Sequence, residues 1–548
     1  MKTFALFLLT FSLTIASASV SSHSYAALHP RTQSVSTPTP TPTTTSSPAK
    51  IAVKPIQSPT PATQTLVDLQ TKIRSILLRP ELRRGMVGVK VISLNTGKVV
   101  FEENAEKYLM PASNNKSFTV AAALEKLTPD FKFVTTVYAD SMPDASGAVK
   151  GNLRIFGRGD VSISTAFYDG DYYKGIDNLV DKIIGSGVKR VEGDLVGDES
   201  YFQGNSIPFG WEWDDLQWYY GAGISALPIN DNAVDVAVTP GPEGFPCAVK
   251  VMPVNPVLRI VNQCKTAARG VANDLQITKK LDQNILEIKG SLPIGDRGFS
   301  GSIAISHPAE MFMALLRQRL QEKGVVITGQ NRTVDAPATV TIAPAVEIAK
   351  LESPPLSTIA ARTMKPSQNM YTETLLWTLG EKARADEKSA ATAAGRAFTL
   401  GRTSSADLGI AAVKNFETSI GIPADGNIQV DGSGLSRHNL ITTSALATLY
   451  AYMGKQSPYA GAWRDSLPIA GVDGTLRNRL KGTAATGNVR AKTGTIDQVS
   501  ALSGYATTAG GEQLVFSIVV NGIPVGSIRT GTIDSIVLEL VNFNGKIE

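Results

Sequence analysis

Histidine and cysteine are scarce in this chain. Its 548 residues include only four histidines and two cysteines. His23 and His29 fall in or beside an N-terminal export segment, which leaves His307 and His438 for the folded body. A zinc centre of several His and Cys ligands is thereby excluded, and neither a metal nor a cofactor is expected. A Ser-His-Asp triad would have to use one of these two histidines. His307 precedes Pro308 at an apparent helix start, and His438 lies in a Gly-rich turn. In an exported chain Cys247 and Cys264 are either a disulfide or two buried thiols, and a bond is the expectation.

Strong charge of one sign is also missing. The net charge is +5 with no long Lys/Arg block, so nucleic acid is not an expected partner. A pI near 8.9 suits weak association with an anionic wall or membrane surface. Beyond Ile15 there is no long apolar run. The single run, Phe4 to Ile15, is too short to span a bilayer comfortably. It follows Lys2 and precedes Ala16-Ser17-Ala18, with Ser24-Tyr25-Ala26 as a second small-x-small site. Residues 1–26 therefore read as a secretory signal, with retention as an anchor the alternative. No Cys follows the run, so no lipid-anchored cysteine is expected.

What is present begins with a Thr/Pro-rich tract. Residues 27–64 carry too few apolar groups to pack and read as a disordered, extended tether. From there the length suggests three or four domain-sized units. Leu66, Leu69, Ile73, Ile76 and Leu77 repeat at helical spacing. Met86 to Leu94 alternates as a strand, Asn95-Thr96-Gly97 signals a hairpin, and Val99 begins the return strand. Residues 137–345 change character, with short strand-like runs between Gly/Asp turns and one clear helix from Pro308 to Lys323. We read them as inserted β-rich domains, the inner one over roughly 164–245. Residues 346–548 return to helices and strands. The resulting expectation is an α+β catalytic domain made of 65–136 and 346–548. Its antiparallel sheet would draw strands from both parts.

Three short motifs carry chemistry. Ser113 and Lys116 lie three apart after Pro111, on one face of an expected helix start, with Ser113 in the first turn. Ser367-Gln-Asn369 follows Lys365-Pro366, and Lys492-Thr493-Gly494 leads into a strand-like run. Each is weak alone. In this order, in an exported chain nearly free of histidine, they match the elements of serine acyl-transferases that bind penicillin. Acyl transfer needs a nucleophile, a base, an oxyanion hole and a proton path. Ser113 would attack. Lys116, its pKa depressed by burial and by the Lys492 charge, would be the base. Ser367 would relay a proton, and Asn369 would bind Lys116 and the substrate amide. Lys492 and Thr493, on an edge strand, would hold a terminal carboxylate, with Gly494 allowing close approach. Backbone N–H groups of Ser113 and Thr495 would form the oxyanion hole.

With these residues in view, the chain resembles the class C low-molecular-mass penicillin-binding proteins, the D-alanyl-D-alanine carboxypeptidase/endopeptidases. The resemblance runs from about residue 66 to the C-terminus. It includes Pro111-Ala-Ser-Asn-Asn-Lys116, Gly157-Arg-Gly-Asp160, Val191 to Asp198, Trp211-Glu-Trp-Asp-Asp215, Ser225-Ala-Leu227, Asp431-Gly-Ser-Gly-Leu-Ser-Arg437 and Lys492-Thr-Gly-Thr495. It implies a catalytic domain split by nested inserts, with peptidoglycan stem peptides and cross-links as substrates and β-lactams as inhibitors. Gln368 departs from the usual small polar residue at that position.

Asp215 sits among aromatics and needs a partner there. The resemblance implies that Asp215 and Tyr220 receive the side-chain amine of a diamino acid, with Arg437 holding that residue's carboxylate. Two other readings share the motifs. A β-lactamase would need a separate deacylating base, and no Glu-x-x-Leu-Asn is present. A non-catalytic peptidoglycan-binding protein would have no reason to keep all six motif side chains.

Overall fold

A computed structural model describes residues 63–335 and 345–547. The expected signal segment and residues 27–62 of the expected tether lie outside the described residues. So do His23 and His29.

One five-stranded antiparallel sheet organises the catalytic part. Its order is Val99–Glu103, Met86–Ser93, Gln513–Asn521, Val499–Thr507, Arg490–Ile496. Both parts of the chain thus contribute, and the join is the pairing of Val89 with Ile518 at its centre. Val499–Thr507 and Gln513–Asn521 are buried along almost their whole length, because helices cover both faces. On one face lie Leu66–Leu77 and Gly526–Asn542, which pack Leu69, Ile73 and Ile76 with Ile533, Ile536 and Leu540. Thr65 and Asp68 cap the first of these reciprocally, satisfying N–H groups that a helix start leaves free. On the other face lie Lys116–Leu127, Leu356–Met364, Asn369–Ala393 and Thr443–Lys455, sharing a core with Val515 and Val519.

The intervening chain is β-rich. A mixed five-stranded sheet runs in the order Asn331–Val334, Leu195–Asp198, Leu153–Phe156, Val134–Ala139, Val346–Glu352. Helices Lys174–Gly185 and Pro308–Glu322 share its core. Smaller sheets are built from strands between Ala233 and Ala304. Cys247 and Cys264 are bonded there, with 5.4 Å between their Cα atoms.

Three sequence expectations differ from this arrangement. The block holds a second long helix, Lys174–Gly185, whose Ile176, Leu179, Val180 and Ile183 follow a helical repeat hidden among Gly/Asp turns. An inner unit over 164–245 does not coincide with the small sheets. That range takes in this helix and strand Leu195–Asp198, which belong with the larger sheet. Turn residues mark where strands end but carry no information about which sheet they join. Finally, Ser113 is not in an α-helical first turn. Ala112–Asn115 form a 3-10 turn, and the α-helix begins at Lys116.

Candidate active site

The turn that carries Ser113 is forced into shape from several sides. Ala112 has φ of +47°, a left-handed conformation costly for a residue with a Cβ. The compensation is a set of buried amide contacts. Asn521 both accepts from the Met110 N–H and donates to the Met110 carbonyl. Asn114 Nδ2 donates to Ser503 Oγ at 2.8 Å, and Asn115 Nδ2 donates to the Asp431 carbonyl at 2.8 Å. The turn is thereby tied to the sheet and to the 431–437 loop. Ser113 is held three residues ahead of the helix start at Lys116, with its Oγ within hydrogen-bond distance of the Lys116 amine.

Lys116 is fully buried, and its amine has three partners. Nζ donates to Asn369 Oδ1 at 2.6 Å, to the Ser433 carbonyl at 2.7 Å and to Ser113 Oγ at 3.0 Å. Burial lowers its pKa to about 7, against the pull of the Asp431 and Glu373 carboxylates, which raise it. Burial first, and then the Lys116 charge, hold Lys492 well below the usual lysine value.

Ser367 also sits at positive φ, +67°, just before helix Asn369–Ala393. Its Oγ accepts from Lys492 Nζ at 2.8 Å, and Lys492 Nζ also donates to the Thr493 carbonyl. Asn369 bridges two elements, with Oδ1 on Lys116 and Nδ2 donating to the Tyr220 carbonyl at 2.8 Å. Strand Arg490–Ile496 is the sheet's edge, as expected from the motif. A Cβ at Gly494 would stand 2.6 Å from the Pro111 carbonyl oxygen, so only glycine lets the strand lie against the Ser113 turn. Thr493 Oγ1 donates to Thr475 Oγ1 at 2.7 Å, and Thr495 follows Gly494 on the same edge.

Segment 207–221 closes one side. Its Tyr220 carbonyl is the group bound by Asn369, so the Asp215–Tyr220 turns are tied directly to the Lys116 network. Burial raises the Asp215 carboxyl to about 6, and the Tyr220 hydroxyl is the hydrogen-bond partner that opposes the rise. Arg437 is near enough to favour the Asp215 charge, but its own direct partners are Glu212 Oε1 at 2.9 Å and the Asp497 carbonyl at 3.0 Å. Trp211 Nε1 donates to Asp431 Oδ2 at 2.9 Å, anchoring the segment to the loop. His438 lies against the Phe209 ring and His307 faces Asp282 at 3.6 Å, so both histidines are engaged outside this network.

Sequence reasoning missed four participants. Ser433 contributes a carbonyl to Lys116, and Thr475 a hydroxyl to Thr493. Asp431 accepts from the N–H groups of Gly434 and Ser436 and from Asn439 Nδ2. Glu373 accepts from the Gly432 and Ser433 N–H groups. Glu373 had a signal: it is an acidic residue one helical turn beyond Asn369, on the same helix face.

The residues so arranged agree with three comparisons. Residues 69–539 match the D-Ala-D-Ala carboxypeptidase 3 (S13) family. A "D-alanyl-D-alanine carboxypeptidase" of Actinomadura sp. (strain R39) is 34% identical over 88% of this chain and 86% of that protein. "D-alanyl-D-alanine carboxypeptidase DacB" of Haemophilus influenzae is 28% identical over 81% of this chain and 87% of its own length. The fold is shared with the crystal structure of penicillin binding protein 4 (dacB) from Haemophilus influenzae. The TM-score is 0.70 at 24% identity, covering 86% of this chain and 99% of that one. The chain belongs to the D-Ala-D-Ala carboxypeptidase 3 (S13) family.

Proposed function

We propose that this chain is an exported serine peptidase that cleaves D-alanyl-D-alanine ends and cross-links of peptidoglycan stem peptides through an acyl-enzyme, and that β-lactams acylate it. The observation that carries the proposal is the fully buried Lys116 amine, held between Ser113 Oγ and two acceptors.

Neutral Lys116 takes the Ser113 hydroxyl proton as Oγ bonds to the scissile carbonyl carbon. The oxyanion is received by the N–H groups of Ser113 and Thr495. The C–N bond then breaks as the proton gained by Lys116 passes by way of the Ser367 hydroxyl, which Lys492 already contacts, to the leaving nitrogen, and Lys116 is neutral again. Water then attacks the ester, Lys116 takes its proton, and that proton passes to Ser113 Oγ as the C–O bond breaks, which restores the hydroxyl and the neutral amine. The terminal carboxylate sits against Lys492 and Thr493, and its charge favours the ammonium form of Lys492. Asn369 holds the substrate amide. Asp215 and Tyr220 receive the diamino acid's amine, and Arg437 exchanges Glu212 for its carboxylate.

The catalytic domain comprises 65–136 and 346–548, with 137–345 inserted. Residues 1–26 direct export, and 27–64 tether the body beside the wall or membrane surface. Among the described residues no helix is long and apolar enough to cross a membrane. The decisive experiment is mass analysis after benzylpenicillin treatment, with a D-alanyl-D-alanine peptide and a cross-linked dimer as substrates. A single adduct on Ser113 and release of D-alanine or uncrosslinked peptide are expected. An adduct on another serine overturns the site, and an unlabelled, inactive chain overturns the function.

A further inference from the structure

We infer that Glu373 is a positioning residue for Lys116, acting through the 431–434 loop. As a base Lys116 must be a neutral amine, with two N–H bonds and one lone pair. Its three partners divide accordingly. Asn369 Oδ1 and the Ser433 carbonyl can only accept, so they fix the two N–H bonds. The remaining tetrahedral position, the lone pair, then points at Ser113 Oγ. Aim therefore depends on holding both acceptors still.

One acceptor, Asn369, is rigid because it begins helix Asn369–Ala393. The other belongs to a loop, where a backbone carbonyl could swing. Glu373 removes that freedom. Its Oε2 accepts from the Gly432 N–H at 2.9 Å and its Oε1 from the Ser433 N–H at 2.7 Å. The Asp431 side chain takes the next N–H, that of Gly434, at 2.7 Å. Every N–H on either side of the Ser433 carbonyl is thus clamped by a carboxylate. Because Glu373 lies one turn beyond Asn369, both acceptors of Lys116 are referenced to the same helix. Side-chain bulk could not substitute for the clamp. A Cβ at Gly434 would stand 1.9 Å from the Ala112 carbonyl oxygen, and one at Gly432 would stand 3.2 Å from Glu373 Oε2. A fully buried carboxyl, itself 0% exposed, is costly unless it is bonded in this way. Burial, and then the Asp431 charge, still push its pKa above the usual carboxylate range, while the loop N–H bonds pull it back.

The inference rests on Ser113 being acylated with Lys116 as base. The test is rapid-mixing acylation of the full chain by benzylpenicillin, which separates the limiting acylation rate from the half-saturating concentration. Glu373→Ala is expected to lower the limiting rate by about 10²-fold, the typical effect of misplacing a reacting group by an ångström. The half-saturating concentration should stay within about threefold, because Glu373 does not reach the ligand. Glu373→Gln keeps one acceptor and should recover about half of the loss on a logarithmic scale. A purely structural role would lower the fraction of chains that take label and leave the rate of the remainder unchanged, and that result overturns the inference. So does a loss confined to the half-saturating concentration. If the alanine variant does not fold, the glutamine variant decides by the same criteria. Hydrogen exchange on the wild-type chain tests the clamp without substitution: slow Gly432 and Ser433 amides are expected, and exchange as fast as an exposed loop overturns it. A wild-type chain that takes no label on Ser113 would instead sink the functional reading beneath.

Discussion

Lys116→Met should alter stability by an amount that changes with pH in one direction. Burial holds Lys116 at about 7 in the folded chain, against 10.5 for the unperturbed side chain. That gap corresponds to about 5 kcal/mol of linkage free energy. Below pH 7 both states carry the proton, and the folded chain bears the whole cost of the buried ammonium. Between the two values the unfolded chain binds the extra proton, so stability rises with pH; above 10.5 the cost is gone. Methionine does not titrate and lacks this rise. It does leave Asn369 Oδ1 and the Ser433 carbonyl without their donor, at about 1–3 kcal/mol each and at every pH. The two effects nearly cancel near neutral pH, so the proteins should melt together there. The wild type should then gain several kcal/mol over the variant by about pH 10. For a unit of several hundred residues this is about 1 °C in Tm per kcal/mol. Scanning calorimetry of both proteins across that range is the assay. A Tm difference that stays constant with pH would refute the depressed Lys116 and with it the base assignment.

The same amine should govern chemistry. Acylation of Ser113 by benzylpenicillin is expected to rise with pH through about 7, following the neutral form of Lys116; a flat profile across that range would count against it. Asp215→Ala should weaken turnover of a diamino-acid stem peptide by about 10-fold or more while sparing penicillin acylation, since a charged hydrogen bond contributes about 1.5–3 kcal/mol. Equal loss in both assays would make Asp215 structural. Thiol titration of the exported, denatured, unreduced protein should find no free thiol. Reduction should lower stability by about 3 kcal/mol, the typical effect for a loop as short as the 17-residue separation of Cys247 and Cys264.

Much of this was legible in the chain itself. The strand from Met86 and the run Leu514–Val520 announced themselves by apolar pattern and by turn residues between neighbours, and a sheet shared by both chain ends was expected, but which strands pair was not. Ser113, Lys116, Ser367, Asn369 and Lys492 could be found because motif spacing fixes local geometry. What stayed hidden is contact between backbone and distant side chain. Ser433 acts through its carbonyl, a group every residue has, and Glu373 acts on two N–H groups about 60 positions away. No spacing rule announces the Ser433 carbonyl, and the single turn between Asn369 and Glu373 does not show which N–H groups that carboxylate meets. The 3-10 turn at Ser113 was equally opaque, because Ala112 adopts positive φ only under the contacts of Asn114, Asn115 and Asn521.

The pairing of early and late strands in one sheet also sets a clock on biosynthesis. Ser113 and Lys116 emerge long before Asn369, Ser433 and Lys492 do. At about 5–20 residues per second, the last strands follow the nucleophile by tens of seconds. Until Gln513–Asn521 arrives, Met86–Ser93 has only its hairpin neighbour, and the Lys116 amine has neither acceptor. A nascent chain is therefore a wall-degrading enzyme without a site. Hydrolysis is withheld until the last strands have closed the sheet. A chain stopped before Gln513 should accordingly take no penicillin label, and a labelled fragment of that length would disprove this order of events.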